Sequence, residues 1–417
     1  MNQQNSVQLS LLSNEEVNVE EQRCSPLCIV EEQRYSPIDD ESPTENEEPV
    51  IKDVKPSRLY WVDWLRIYAS ILVVYNHCTH VNVPRIFRKG NWYALYFHCA
   101  LSKCCVPLFI MISGIFFLNP KKEVPIKKLY KKNILRMAKS LYFWSMIYYI
   151  IDTIMNHKSI VKYDIRFFRG KIYDMLSGVG HFWYLYFVIG LYMTTPFYRA
   201  IIANGRTIAW YCASMCFLLG QFLPTFKEFL RRIVKMDISL LDTIHNHFGQ
   251  GIEVTGGLAA YYFFGYLLNT HNFENKILHR YIVYLLGIFG VVITVVLRYK
   301  SSYNVNQEEE SFGKYESFNV AFYTYGVFIF FKCALSRLIN ILVRNKIFKY
   351  ITKTFSECSF GVYLLHMTVY NLFIFFGFNS QTYNPWYFLP VYTMIIYMTT
   401  FIIVFFLRKI KFFRDLL

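Results

Sequence analysis

Charged residues are scarce in this sequence. Asp, Glu, Lys and Arg make up 18% of its 417 residues, whereas 54% are hydrophobic and 19% are aromatic. Because soluble globular domains carry about 25% charged residues, this composition excludes an ordinary soluble protein. Several apolar runs reach the roughly 20 residues that span a bilayer as a helix. We therefore expect an all-α, polytopic membrane bundle of about ten transmembrane helices.

Cysteine and histidine spacings typical of metal sites are also missing. The ten cysteines include no C-x-x-C and no Cys/His pattern of a zinc site. Thiols that pack as small hydrophobic groups explain them. His245, His247 and Glu253 resemble a metal-binding group only loosely, and we interpret them as a solvated loop. We expect no metal and no tightly bound cofactor.

Positive charge does not indicate nucleic acid here, although the formal net charge is +15. The lysines and arginines cluster between apolar runs, most densely from Lys121 to Arg136, and accompany no recognition motif. Basic loops that flank spans are typical of the cytoplasmic side of a membrane and attract anionic lipid. The expected partner is therefore the lipid bilayer, with no nucleic acid.

Residues 1–58 form a separate region, with twelve acidic and two basic side chains before Ile51. Their composition cannot bury a core and predicts a disordered acidic cytoplasmic tail. The motif EEQR-x-SP occurs twice in it, from Glu20 and Glu31; a solvated tail is the simpler interpretation, and phosphoregulation is the alternative. We recognise no signal peptide before the first span. A membrane domain is expected over 59–408 and a short basic tail over 409–417.

An even number of spans places both termini on one side of the membrane. Loops on that side carry 24 lysines and arginines, against about 15 on the other, so both termini are expected in the cytoplasm. The host is a plasma membrane or an endomembrane. The fifth span is expected to close early, at Pro224, before an amphipathic surface stretch. The expected spans are 60–79, 93–118, 137–155, 182–202, 207–223, 254–270, 280–298, 318–336, 358–378 and 386–407.

The first span carries the strongest functional signal. Arg66 and His77 lie eleven residues apart, which at about 100° per residue places them on one helix face, roughly 16 Å apart along the axis. Asp63 precedes Arg66 by three residues and can pair with it. Because a lipid-facing charge costs several kcal/mol, this face should meet protein or a water-filled cavity, and its residues are functional candidates. The alternative is a neutralised pair near one interface and a hydrogen-bonded His77 near the other.

Four elements in order resemble the acyltransferase-3 family, multi-spanning membrane enzymes that move acetyl or other short acyl groups onto sugars and similar hydroxylated acceptors. They are the Arg66-to-His77 spacing, the Ser-Gly pair in FIMISGIFFL, the Trp-containing segment HFWYLYFVIGLYMTTPFY, and the Tyr-Leu-x-His element in SFGVYLLH. The resemblance covers roughly residues 58–408. One departure concerns the Arg-x-x-Arg that usually opens the third helix. Here Arg136 matches the second arginine, Asn133 stands at the first, and Lys132 is a candidate replacement.

The resemblance implies an acyltransferase that uses acetyl-CoA or another acyl-CoA as co-substrate and acylates a hydroxyl of a carbohydrate or related acceptor. Imidazole has the side-chain pKa nearest operating pH, so His77 is the expected catalytic base. Arg66 is expected to hold the donor on the same helix face. Arg136 and Lys132 are expected to bind the donor phosphates.

Other polar and aromatic residues are weaker indications of a functional site. His181 fits an interfacial polar residue at the edge of the fourth span. Four residues serve either as substrate contacts or as packing and helix-to-helix bonds, namely Asp63, Ser113, Trp183 and His366.

Two other protein classes are alternatives to an enzyme. An exporter of a polysaccharide or lipid-linked sugar would use the same polar stripe as a pathway, whereas a ligand-sensing receptor has no supporting motif beyond the spans. The Arg66-to-His77 spacing, and the lack of inverted repeats or paired broken helices, favour the enzyme. The acceptor and the acyl chain length are not fixed by these observations.

Overall fold

The computed structural model describes residues 58–80, 87–88, 90–156, 170, 179–243 and 256–417. The expected acidic tail falls outside these residues except for Arg58, as do His245, His247 and Glu253. All regular structure in the described part of the chain is helical, so the all-α prediction is confirmed.

We number the helical segments that build the bundle in chain order. They are α1 (Tyr60–His80), α2 (Trp92–Phe117), α3 (Leu135–Asn156), α4 (Gly180–Ala203), α5 (Arg206–Val234), α6 (Ala259–Thr270), α7 (Ile277–Val305), α8 (Phe318–Leu342), α9 (Lys346–Phe375), α10 (Pro385–Leu407) and the short α11 (Lys411–Leu416).

Seven helices of the described part are long and apolar enough to cross a membrane: α2, α4, α5, α7, α8, α9 and α10. The protein is thus a multi-pass membrane protein, and the expected count of ten also includes α1, α3 and α6. Helix α1 packs against α2, α8, α9 and α10. Because its neighbours cover it, α1 can carry Asp63 and Arg66 without exposing their charges to lipid.

The expected end of the fifth span at Pro224 is wrong, since α5 continues to Val234. A π-helical turn, Leu218–Phe222, precedes the proline, which occupies the first turn of the next α-helical segment. A proline in a first turn removes no essential hydrogen bond, because that amide has no intrahelical partner. Helix α5 therefore continues through Pro224, although proline normally ends a helix.

The ninth span begins at Lys346, well before the expected residue 358. The side-chain oxygen of Asn345 accepts hydrogen bonds from the backbone N–H groups of Ile347 (2.8 Å) and Phe348 (3.3 Å). This N-cap starts the helix in a polar stretch whose low hydropathy is typical of a loop.

Glycines allow two close helix contacts. A Cβ on Gly114 would collide with the backbone carbonyl of Tyr262, and a Cβ on Gly287 would lie 2.8 Å from the Cα of Gly326. The first contact joins α2 to α6, and the second joins α7 to α8. The Ser113-Gly114 pair therefore sits where two helices approach each other closely.

Candidate active site

Three histidines from distant parts of the chain meet inside the bundle. The ring centroids of His77 and His366 are 5.0 Å apart, those of His181 and His366 are 5.5 Å apart, and those of His77 and His181 are 6.1 Å apart. We call these residues the histidine cluster. Helices α1 and α9 supply one histidine each, and the turn that opens α4 supplies the third.

Helices α1 and α9 run parallel, and two contacts fix their register. Near one end, the Arg66 guanidinium donates to the Ser356 hydroxyl at 2.8 Å. Eleven residues further along α1 and ten further along α9, His77 meets His366. Each interval corresponds to about 15 Å of helix. The one-face placement predicted for Arg66 and His77 is confirmed, since both reach the same neighbouring helix.

The geometry of His366 assigns its tautomer. Its Nδ1 lies 2.8 Å from the carbonyl oxygen of Tyr363 and 3.1 Å from that of Val362. A ring nitrogen facing two acceptors carries the proton, which leaves Nε2 as a hydrogen-bond acceptor. This Nε2 is buried and has no hydrogen-bond partner among the described residues. His366 therefore presents a hydrogen-bond acceptor nitrogen inside the bundle.

His181 is held in the cluster through its backbone. The Tyr363 hydroxyl donates to the His181 carbonyl at 2.7 Å, and the Tyr148 ring meets the His181 ring edge-on at 5.0 Å. His181 is 9% exposed, and its Nε2 is buried with no hydrogen-bond partner in the described part of the chain. His181 is thus enclosed by protein side chains, and its position at the membrane interface stays a prediction.

Accessibility distinguishes His77 from the other two histidines. His366 is 0% exposed and His181 nearly as enclosed, whereas His77 is partly exposed. A reactant that reaches the cluster therefore meets the His77 imidazole, and the two buried rings lie beside it.

Arg66 lies in a compact polar cluster at the start of α1. It is 1% exposed, and it donates to the Asp63 carboxylate at 3.1 Å as well as to Ser356. Arg58 donates to the same carboxylate at 2.6 Å, and the Ser356 hydroxyl donates to it at 2.7 Å. The predicted Asp63–Arg66 pair is thus present and is extended by a second arginine. Donor binding by Arg66 stays a prediction.

The other expected donor-binding residues lie around the start of α3. Arg136 donates to the backbone carbonyls of Asp415 at 3.0 Å and Arg414 at 3.3 Å. Lys132 is exposed, whereas Asn133 is buried. The two neighbouring side chains thus lie in different surroundings. Lys132 does not take the place of Asn133, which stands at the first arginine position.

Ser113 and Trp183 have defined packing partners. The Ser113 hydroxyl donates to the Phe109 carbonyl at 3.1 Å within α2. Trp183 is 41% exposed and stacks on Tyr315, with ring centroids 5.7 Å apart and an interplanar angle of 22°. Trp183 follows the His181 turn, so one member of this aromatic pair lies close in sequence to the histidine cluster.

Sequence reasoning missed His181, Tyr363 and Lys103. Lys103 is 5% exposed and its ammonium lies 6.0 Å from the centre of the Tyr315 ring. The sequence contained a signal for Lys103, because a lysine inside a 26-residue apolar helix is rare unless protein surrounds it. His181 and Tyr363 each looked ordinary, because only the folded chain brings them together.

No group of three or more His, Cys, Asp or Glu side chains among the described residues could hold a metal ion. A family model described as an acyltransferase domain, that of acyltransferase family 3, matches residues 59–408. No curated protein and no solved structure matches the chain.

Proposed function

The chain belongs to the acyltransferase-3 family, and from this premise we propose that it transfers an acetyl or other short acyl group from acyl-CoA to a hydroxyl of a carbohydrate or related acceptor. Membrane acyltransferase activity follows from the family and the helical bundle; the donor and the acceptor are the proposed part. The observation that supports this reaction most directly is the histidine cluster, in which His77 is partly exposed and two buried imidazoles stand behind it.

In the proposed reaction, His77 takes the proton of the acceptor hydroxyl as its oxygen attacks the thioester carbonyl. The new C–O bond forms, the tetrahedral intermediate collapses, and the C–S bond breaks. The proton on the imidazole passes to the departing thiolate, which leaves as coenzyme A. Atoms and charge balance, and His77 ends in its starting state.

His366 and His181 act on His77 rather than on the substrate in this proposal. Their rings lie 5.0 and 6.1 Å from the His77 ring. Polar side chains at this distance stabilise the transient imidazolium of His77 through their dipoles. The fixed proton on His366 Nδ1 keeps its Nε2 as an acceptor.

The donor is proposed to approach from the end of the bundle at which α1 begins. That end carries Arg66 together with Arg136 and Lys132, and coenzyme A phosphates prefer guanidinium and ammonium groups. Placing this end in the cytoplasm, where acyl-CoA is made, agrees with the Lys/Arg bias of the loops.

The direct test is thiol release from acetyl-CoA by the purified protein, with and without a panel of sugar acceptors. Acceptor-dependent release, together with the mass shift of one acetyl group on the sugar, is the expected result. Acceptor movement across proteoliposomes without any thiol release would instead support the exporter interpretation and overturn the proposed reaction.

A further inference from the structure

A second site lies away from the histidine cluster, between α5, α6, α7 and α8. It is a cavity of about 350 Å³ whose walls are aromatic and aliphatic side chains, with His271 and His279 at one edge. Its volume falls within the range of about 300–1,000 Å³ that is typical of small-molecule sites. None of the residues placed in the proposed reaction lines it.

The cavity opens sideways toward lipid. Ile282 and Leu286 line it and are still 45% and 37% exposed. They lie one turn apart on α7, whose outward face also carries Leu285 and Ile288, exposed by 66% and 64%. An apolar space of this kind does not hold water stably. In a bilayer, the group available to fill it is a hydrocarbon chain.

Aromatic rings form the inner wall. Trp210 and Phe217 of α5 both contact Phe264 of α6, with ring centroids 5.9 and 6.4 Å apart. From His279 to Leu286 the cavity follows α7 for seven residues, which is about 10 Å of helix. This depth accommodates part of one acyl chain.

The mouth of the cavity lies where α6 ends and α7 begins, and its surroundings are basic. His271 Nε2 and His279 Nδ1 are 3.1 Å apart there. Burial lowers the pKa of His271 to about 4, and the charges of Arg206 and Lys276 contribute to the shift. His271 is therefore neutral at physiological pH, and the arginine and the lysine carry the positive charge.

Lys332 is nearby but already engaged. Its ammonium donates to the carbonyls of Leu268, Asn269 and His271 at 2.9, 2.5 and 2.9 Å, which closes the end of α6. Arg280 differs, since its Nε is buried and has no hydrogen-bond partner among the described residues.

Two helices also begin at this mouth, and no capping or acidic side chain in the first turn compensates the positive end of either helix dipole. Helix α5 starts at Arg206 after Gly205, and α7 starts after Lys276; neither has a side-chain cap or an acidic residue in its first turn. Helix N-termini favour negative charge, so basic residues there are unfavourable unless an anion is bound. Glu274 supplies the only carboxylate between residues 271 and 280.

We propose that this cavity binds an anionic glycerophospholipid of the surrounding bilayer. One acyl chain occupies the space between Trp210 and Leu286, and the phosphate lies at the mouth beside Arg206, Lys276 and Arg280. The chain fills an apolar space that opens to lipid, and the phosphate meets two helix N-termini and three cations. A zwitterionic lipid fills the apolar space equally well, but its headgroup has no net negative charge to offset the cations at the mouth.

The test measures binding of radiolabelled phosphatidylglycerol to the purified full chain in neutral detergent, with phosphatidylcholine of the same acyl chains as competitor. One phosphatidylglycerol per protein and weak competition by phosphatidylcholine are expected. The double variant Arg206→Gln/Lys276→Gln should weaken binding roughly twentyfold, because each basic residue near an anionic lipid contributes about a fivefold factor. The matched control is Arg344→Gln/Lys346→Gln, which removes the same charges from two exposed positions, one between α8 and α9 and one at the first residue of α9, and should change affinity less than twofold.

Leu286→Trp, or Ile282→Trp if the first variant lowers the melting temperature, fills the cavity and should weaken phosphatidylglycerol binding at least tenfold. Glycerol phosphate at millimolar concentration should not compete, because it lacks the acyl chain. Equal losses in the two charge variants would show only diffuse attraction to the surface. Unchanged binding in a well-folded tryptophan variant would show that no chain enters the cavity. Either result overturns the proposal.

Discussion

His77 and His366 lie on parallel helices with their ring centroids 5.0 Å apart. The contact depends on the polar cluster at the other end of the same two helices, where Arg66 of α1 reaches Ser356 of α9. Because both contacts involve the same helix pair, sliding one helix along the other would break both. The position of the histidines is therefore coupled to a polar cluster about 15 Å away.

Tyr363→Phe tests whether the position of His181 matters for catalysis. The variant removes the hydroxyl that donates to the His181 carbonyl. We expect kcat to fall by about tenfold to a hundredfold with an unchanged KM for acyl-CoA, because small displacements of a catalytic group are costly. The matched control is Tyr392→Phe, which removes a similar bond to the Phe378 carbonyl. Equal kcat in the two variants would assign Tyr363 to structure alone.

Asp63→Asn tests the polar cluster at the start of α1. It leaves the buried Arg66 and the nearby Arg58 without their shared carboxylate. Removing one partner of a buried ion pair costs about 3–5 kcal/mol of unfolding free energy. Glu357→Gln is the comparison, since that carboxylate is more exposed and forms longer ion pairs, with Arg408 at 3.4 Å, Arg58 at 3.7 Å and Lys353 at 3.9 Å, so it should contribute less than about 1 kcal/mol. Unfolding of the purified variants by denaturant measures both, and equal costs would contradict the cluster's structural role.

Gly287→Ala tests the close approach of α7 and α8. The added methyl would lie 2.8 Å from the Cα of Gly326, so the helices must separate. Overpacking of this kind costs about 1–3 kcal/mol. Gly190→Ala on α4 meets no atom within 4 Å and should be neutral or stabilising by up to about 1 kcal/mol. Equal thermal stability of the two variants would show that the contact is looser than described.

Hydropathy and charge predicted much of the bundle. Most spans end within a few residues of their predicted positions, because long apolar runs report burial or lipid contact directly. The two largest boundary errors have local causes, whereas α7 and α8 continue past the expected residues 298 and 336, to Val305 and Leu342. Pro224 follows a π-helical turn that no hydropathy window detects, and the polar start of α9 depends on the Asn345 cap.

The site was predicted in part. Helical periodicity placed Arg66 and His77 on one face, because spacing alone determines which residues of one helix share a face. The meeting of His77 with His181 and His366 depends on how three helices pack, which periodicity within each helix does not determine. Asp63 was assigned to pair with Arg66, but its second partner, Arg58, lies just before the span.

Membrane orientation can be tested with introduced cysteines in a background carrying Cys24→Ser, Cys28→Ser, Cys212→Ser and Cys333→Ser, which leaves the six buried native cysteines. Lys127→Cys lies in the basic segment before α3, and Tyr383→Cys lies between α9 and α10; both positions are exposed. If both termini are cytoplasmic, an impermeant maleimide should label intact cells only at position 383. Labelling at position 127 instead would reverse the orientation and the proposed donor side.

The central claim is that His77 is the general base. The most direct measurement is acceptor-dependent thiol release from acetyl-CoA by the His77→Gln variant, beside a His98→Gln control. His98 is a buried histidine outside the cluster, and it pairs with the Tyr75 hydroxyl at 2.5 Å. General-base catalysis contributes about 10²- to 10⁴-fold, so kcat of His77→Gln should fall by that factor at unchanged melting temperature. The control should stay within about threefold of the parent. Near-normal turnover by a stable His77→Gln protein would contradict the claim.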